Sequence, residues 1–287
     1  MEKMTCLMID LVSSRSYPTN DRKDIQNLLK QAVNLLNAVF QTSLEFDLKF
    51  SAGDSLQGVF RSPQACYLYL RLLRKIMAPV KIHAGIGYGE LKLMLQESSD
   101  TNEQEGEVFY NAKLAIEEAK KSSEYSVLFY SMDQRDRVIN TMINLHFALD
   151  AAQTDLQNEL SLLCECMYPI SYRNSVKEVY INDIPSIIKE KRSLSFFERL
   201  LYKKSIKTYP MDRMDAAHLN PQPLEFSPNN QDFFISDGRV KGFSYLLERV
   251  FELPRQGVDR SLASGKVFEE RNATLCILEL LEKLMGS

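Results

Sequence analysis

The chain has 287 residues, 45% hydrophobic and 25% charged, with a formal net charge of −3. That composition is globular and long enough to bury one large core or two ordinary ones. The charge gives no global attraction to nucleic acid or an anionic membrane, so only a local basic patch could serve either. Cys6, Cys66, Cys164, Cys166 and Cys276 contain no C-x-x-C pair, and the three histidines are scattered. The spacing that zinc sites need is missing, and an odd cysteine count suits reduced thiols. The first apolar run is short and is interrupted by Asp10, unlike a signal peptide, and no stretch has the length of a membrane span. The expectation is a soluble, cytoplasmic protein.

Residues 5–12 form a short apolar run and read as a buried strand, followed by a loop over 13–18. Residues 21–41 read as a helix that Asp21 can cap, with Ile25, Leu28, Leu29, Ala32, Leu35, Leu36, Val39 and Phe40 at helical spacing. Residues 44–50 and 55–60 alternate around Ser51-Ala52-Gly53-Asp54, a β-hairpin with Gly-Asp at its tip. Ser62 caps a helix to about residue 78, with Pro63 in the first position and Ala65, Leu68, Tyr69, Leu72 and Ile76 on one face. Residues 80–95 are strand-like, 96–105 a polar loop, 107–122 a helix and 126–132 a last strand.

This order is β-α-β-β-α-β-α-β. Its first six elements are the ferredoxin-like split unit, in which helices cover one face of an antiparallel sheet. The texture then changes. Residues 133–167 are helical with a break near Thr154, 168–174 a loop, and 175–204 helical with Pro185 at a start or break. Residues 209–230 carry Pro210, Pro221, Pro223 and Pro228 and read as a linker. A hairpin is expected over 232–240 around Asp237-Gly238, then amphipathic helices over 243–252 and 269–284, the last capped by Asn272 or Thr274. The fold class is therefore α+β: a ferredoxin-like domain over 1–132 and a mainly helical domain over 133–287.

Two carboxylates carry the functional reading. Asp10 ends the first strand, and Asp54 stands at a tight corner that Gly53 permits. In this topology the first strand neighbours the hairpin, so both acids converge and suggest a divalent-metal site near a phosphate. The plainer readings are a solvated strand end and ordinary turn chemistry. Gly85, Gly87 and Gly89 could let a nucleotide approach the sheet or mark close helix packing. His83, between apolar neighbours, reads as structural, and Lys113, Lys120 and Lys121 as a solvated helix face. No G-x-S-x-G, H-E-x-x-H or P-loop occurs.

Four stretches in register resemble the SatD family, whose members carry a domain similar to class III nucleotide cyclases and, more distantly, GGDEF domains. They are Ile9-Asp10-Leu11-Val12-Ser13-Ser14-Arg15, Ser51-Ala52-Gly53-Asp54-Ser55-Leu56-Gln57-Gly58, Ala84-Gly85-Ile86-Gly87-Tyr88-Gly89-Glu90 and the segment 105–120, within about residues 4–132. The resemblance implies Mg²⁺ or Mn²⁺ on Asp10 and Asp54, bridging a triphosphate. It implies phosphate contacts from the loop carrying Leu11, Ser13 and Ser14, with Gly53 and Lys113 completing the nucleotide site. Because class III cyclases build sites between two subunits, it also implies a homodimer.

The sequence departs from active cyclases. Their third helix carries an Asn and an Arg four apart; here the pair is Tyr110 and Leu114, or Asn111 and Ala115 in the other alignment. Loss of such a charge-stabilising donor costs on the order of 10²–10³ in rate. Phe50 stands where cyclases place a base-reading Lys. The expectation is a nucleotide-binding regulatory protein, weak or inactive as a cyclase. The alternatives are an active nucleotidyl cyclase or transferase, or a DNA-binding or scaffold protein with a vestigial pocket. SatD relatives often end in a helix-turn-helix, but here Pro185 interrupts one candidate and the final helix is too apolar to read bases. That helix suits core packing or self-association better.

Overall fold

The computed structural model describes residues 2–12, 17–51, 55–92, 105–201, 220–228, 234–251 and 254–285. The first half runs β1 (Lys3–Leu11), α1 (Thr19–Val39), β2 (Leu44–Phe50), β3 (Leu56–Phe60), α2 (Pro63–Met77), β4 (Ile82–Lys92), β5 (Glu105–Gly106), α3 (Glu107–Lys121) and β6 (Val127–Tyr130). The second runs α4 (Asp136–Ala151), α5 (Asp155–Met167), β7 (Ile170–Ser171), α6 (Glu178–Ile181), α7 (Ile184–Ser193), α8 (Ser195–Leu201), β8 (Leu224–Glu225), α9 (Phe243–Phe251), α10 (Arg255–Ser264) and α11 (Val267–Met285).

The main sheet has the order β2-β3-β1-β4-β5, with β6 also on β4. Strand β1 lies antiparallel to β3 and β4, and β6 runs parallel to β4. The first four strands therefore have the ferredoxin-like order, and the fold is α+β. Alternation along β1 splits its side chains between the two faces. Leu7, Ile9 and Leu11 join the large core with α1 and α2, while Met4, Cys6 and Met8 pack with Val108, Ala112 and Phe109 of α3. Helix α3 thus covers the face opposite α1 and α2.

The close approach of α3 explains two glycines of β4. A Cβ on Gly85 would lie 2.3 Å from the Ala112 carbonyl oxygen, and one on Gly87 would lie 2.1 Å from the Ala112 nitrogen. Both residues are there for helix–sheet contact.

Several boundaries follow local chemistry. Ser62 accepts from the Ala65 N–H with Pro63 in the first turn of α2, and Thr154 with Gln157 forms a capping box at α5. Helix α1 begins at Thr19 with Pro18 at its N-cap, so Asp21 lies in the first turn and bonds Arg199 at 2.6 Å rather than capping. The helical stretch expected over 175–204, with Pro185 at a start or break, is three short helices over described residues 178–201, and Pro185 stands in the first turn of α7.

Over described residues 234–240 there is no strand. The Gly238 N–H donates to Asn272 Oδ1 at 3.0 Å and its carbonyl accepts from Arg271 Nε at 2.8 Å, so the turn is tied to α11 instead of pairing as a hairpin. Asn272 and Thr274 lie inside α11, which starts at Val267, and neither caps it. Helix α10 and the parallel pairing of β7 with β8 were not evident in the sequence. Among the described residues no helix is long and apolar enough to cross a membrane.

Helix α2 was expected to bury one face. It is buried all round, with only Arg74 half-buried, because the sheet and α1 lie on one side and α4, α5, α7 and α11 on the other. Its outward side carries Arg71 and Lys75 into the interior.

Candidate functional site

Asp10 closes β1 on the face that carries Met4, Cys6 and Met8. Across the strand it faces His83 of β4. On the other side Ile9 pairs with Leu56, so the end of β1 runs beside the start of β3. The Ser51 N–H donates to the Ser55 carbonyl at 2.9 Å and closes the base of the expected Gly-Asp turn. Gly53 and Asp54 themselves, like Ser13 and Ser14, lie outside the described residues.

The Asp10 carboxylate has a partner from its own chain. Lys120 of α3 places Nζ 2.5 Å from Asp10 Oδ2, with the two side chains 41% and 21% exposed. The sequence marks no cation for Asp10, and Lys120 reads there as part of a solvated face. The reach of α3 across the sheet makes the pair. Burial pushes the His83 imidazole down; Asp10 pulls it back up, and Lys120 and Arg74 push it down further, leaving it below its ordinary value.

Of the other expected contacts, only Leu11 and Lys113 lie among the described residues. The Leu11 side chain is in the core, and the neighbouring Val12 N–H donates to the Lys81 carbonyl at 3.0 Å. Lys113 is exposed on α3. Asn111 is fully buried and donates its amide to the Tyr88 carbonyl at 2.9 Å, which ties α3 to β4. A divalent ion needs several oxygen ligands. The described part of this corner offers one carboxylate, already bonded to an ammonium, and does not fit such an ion without the segment around Asp54.

A second cluster was missed in the sequence. Arg71 of α2 holds Glu270 of α11 through Nε–Oε1 at 2.6 Å and Nη2–Oε2 at 2.8 Å, and reaches Glu165 of α5 at 2.8 Å. Arg271 bonds Glu165 as well, and Lys75 holds Asp150 at 2.5 Å and Ser161 at 2.9 Å. His146 of α4 bonds Glu270 through Nε2 and the Tyr67 hydroxyl through Nδ1, the latter at 2.9 Å. Helices α2, α4, α5 and α11 all contribute buried side chains to this cluster. The available signal was Arg71 and Lys75, four apart in a helix whose residues are otherwise mostly apolar.

His146, Asp150 and Glu270 each place one ligand atom within 4.8 Å of the others, close enough to hold a metal ion. The charges argue for a different occupant. Arg71, Lys75 and Arg271 balance Asp150, Glu165 and Glu270, and the Lys75 ammonium itself lies 3.5 Å from Glu270 Oε1. The carboxylates already have their cations. Burial pushes the Glu270 carboxyl up, but Arg71, Lys75 and His146 pull it down further, so it ends well below the usual carboxylate range.

A family model described as the SatD family matches residues 5–219. The match runs beyond the motif-bearing stretch and takes in α4 to α8. No curated protein matches the chain. Among solved structures, one of a bacterial light-regulated adenylyl cyclase is similar at 14% identity, covering 45% of this chain and 75% of that one, with a TM-score of 0.32. A second, also of a bacterial light-regulated adenylyl cyclase, has 12% identity over 45% of this chain and 43% of that one, again with a TM-score of 0.32.

Proposed function

From the premise that this chain belongs to the SatD family, we propose that it is a regulatory protein that binds a nucleotide at the Asp10 corner and does not cyclise it. The observation that carries this reading is the Lys120–Asp10 pair at the mouth of the β1–β3 corner. Lys120 is a cation supplied by the chain itself. On binding it would leave Asp10 for a phosphate oxygen, with its half-exposed side chain free to swing. The helix that supplies it carries neither spacing of the Asn and Arg expected of a cyclase, and Asn111 is committed to the Tyr88 carbonyl. Occupancy would be transmitted through α3 and β4 to the sheet, and a homodimer would follow from the same resemblance.

Thermal melting of the full chain with ATP or GTP, with and without Mg²⁺, tests the reading. A ligand at roughly 100-fold above its dissociation constant stabilises by about 2.7 kcal/mol. The expected result is a rise with one triphosphate that Lys120→Ala weakens. No rise with any triphosphate would remove nucleotide binding. A cyclic product on chromatography would replace this reading with an active cyclase.

A further inference from the structure

A cavity of about 260 Å³ lies where α2, α4, α5 and α7 meet, lined by both halves of the chain. Its walls carry five cationic side chains, Arg74, Lys75, Lys81, Lys191 and Arg192, against three acids, Asp150, Asp155 and Glu159. Lys75 is matched by Asp150 and Arg192 by Glu159. Arg74 bonds the Ile82 carbonyl at 3.0 Å and lies over the Phe147 ring. Lys191 is only 4% exposed, and its amine donates to the Ile76 carbonyl at 2.8 Å, not to a carboxylate. A buried amine bonded to a carbonyl and not to a carboxylate, beside a cavity lined by more cations than acids, is matched to an anion.

The same walls also ask for a donor. Asp150 Oδ2 and Gln153 Oε1 are buried acceptor atoms without a hydrogen-bond partner, and both residues line the cavity. Orphaned buried acceptors are costly and rare in native proteins. A plain anion would leave them unsatisfied and repel Asp150. A molecule with an ammonium at one end and a carboxylate or phosphate at the other would satisfy both requirements.

We infer that this cavity binds a small zwitterion, an amine-bearing carboxylate or phosphate, with its ammonium on Asp150 and Gln153 and its anionic end on Lys191 and Lys81. The site bridges α2 of the sheet half and α7 of the helical half, so occupancy would bear on how the two pack.

Proton linkage gives the site a signature. Burial lowers the Lys191 amine to about 7; Arg192 pushes it the same way, and Asp155 and Glu159 pull against it. Arg74, Lys75, Lys81 and Asp150 face the same space. An anion beside Lys191 favours its protonated form, so binding takes up a proton and weakens as pH rises above 7.

The test is calorimetric titration and thermal melting of the full chain with the free amino acids and phosphoethanolamine, against inorganic phosphate and methylammonium as single-ended controls. One zwitterion is expected to bind at least tenfold tighter than either control, with the amino-acid and phosphoethanolamine arms distinguishing the anionic group. Lys191→Met should weaken it at least tenfold while leaving any ATP response intact. Lys81→Glu, at an exposed position, gives the same reading if the first variant does not fold. Equal binding of phosphate alone, or no response to any zwitterion, would overturn the proposal. Failure here is separate from failure of nucleotide binding, since the two use different ligands and different variants.

Discussion

Two ion pairs of very different worth show what decides the role of a charged residue. Asp10 and Lys120 meet at the C-terminal end of the interior strand β1 with solvent on both, and exposed pairs contribute about 0–1 kcal/mol. Lys120→Ala is therefore expected to shift the denaturation midpoint by less than about 1 kcal/mol. Glu270 is fully buried and serves Arg71, Lys75 and His146 at once. Removing one member of such a network leaves uncompensated charge in the interior, typically costing about 3–5 kcal/mol. Urea denaturation of Glu270→Gln should show that loss with an unchanged m-value. Glu165 resembles Glu270: burial raises its carboxyl, Arg271 and Arg71 lower it more, and it ends below its ordinary 4.5. For both acids the folded value lies below the unfolded one. Their contribution is therefore complete above about pH 4.5 and is lost as pH falls through the folded values. Stability measured from pH 7 to 3 should fall more steeply in the parent than in Glu270→Gln.

At the scale of elements, the seat of α3 depends on the absence of side chains in β4. Gly87→Ala would drive a Cβ against the backbone of Ala112, which no rotamer can relieve. Overpacking of this kind costs about 1–3 kcal/mol, and α3 would lift from the sheet. Because α3 carries Lys120, the same variant should also weaken any ligand response at the Asp10 corner, a joint effect that melting with and without ATP would register. Thr154→Ala is a milder change. It removes the capping box of α5 and should cost about 1 kcal/mol in the denaturation midpoint without touching that response. The helix break at Thr154 was legible because capping is local. The complete burial of α2 was not, because an apolar stripe reports one buried face and says nothing of a second partner across the other.

For the whole molecule, the large core is continuous from β1 and α1 through α2 to α11. A fragment of residues 1–132 would expose Tyr67, Arg71 and Lys75 of α2, all fully buried here. Such a fragment is expected to lose near-ultraviolet circular dichroism while keeping much of its helix signal, and the full chain to melt in one transition by both probes. A fragment with native-like tertiary signal would show that the first 132 residues stand alone.

Alternation and helical spacing, together with Ser62, Thr154 and Pro185, were enough to read the β-α-β-β-α-β order, the ferredoxin-like sheet and the main breaks in the helical half. These depend on neighbours a few residues apart. The partners of the charges were decided only by the tertiary structure: Arg71 and Glu270 are separated by 199 positions, and Lys120 reaches Asp10 only because α3 crosses the second face of the sheet. Periodicity records that a side chain leaves solvent. Which opposite charge awaits it depends on how distant helices pack, and that is why the acid at the end of β1 could be found in the sequence while the lysine holding it could not.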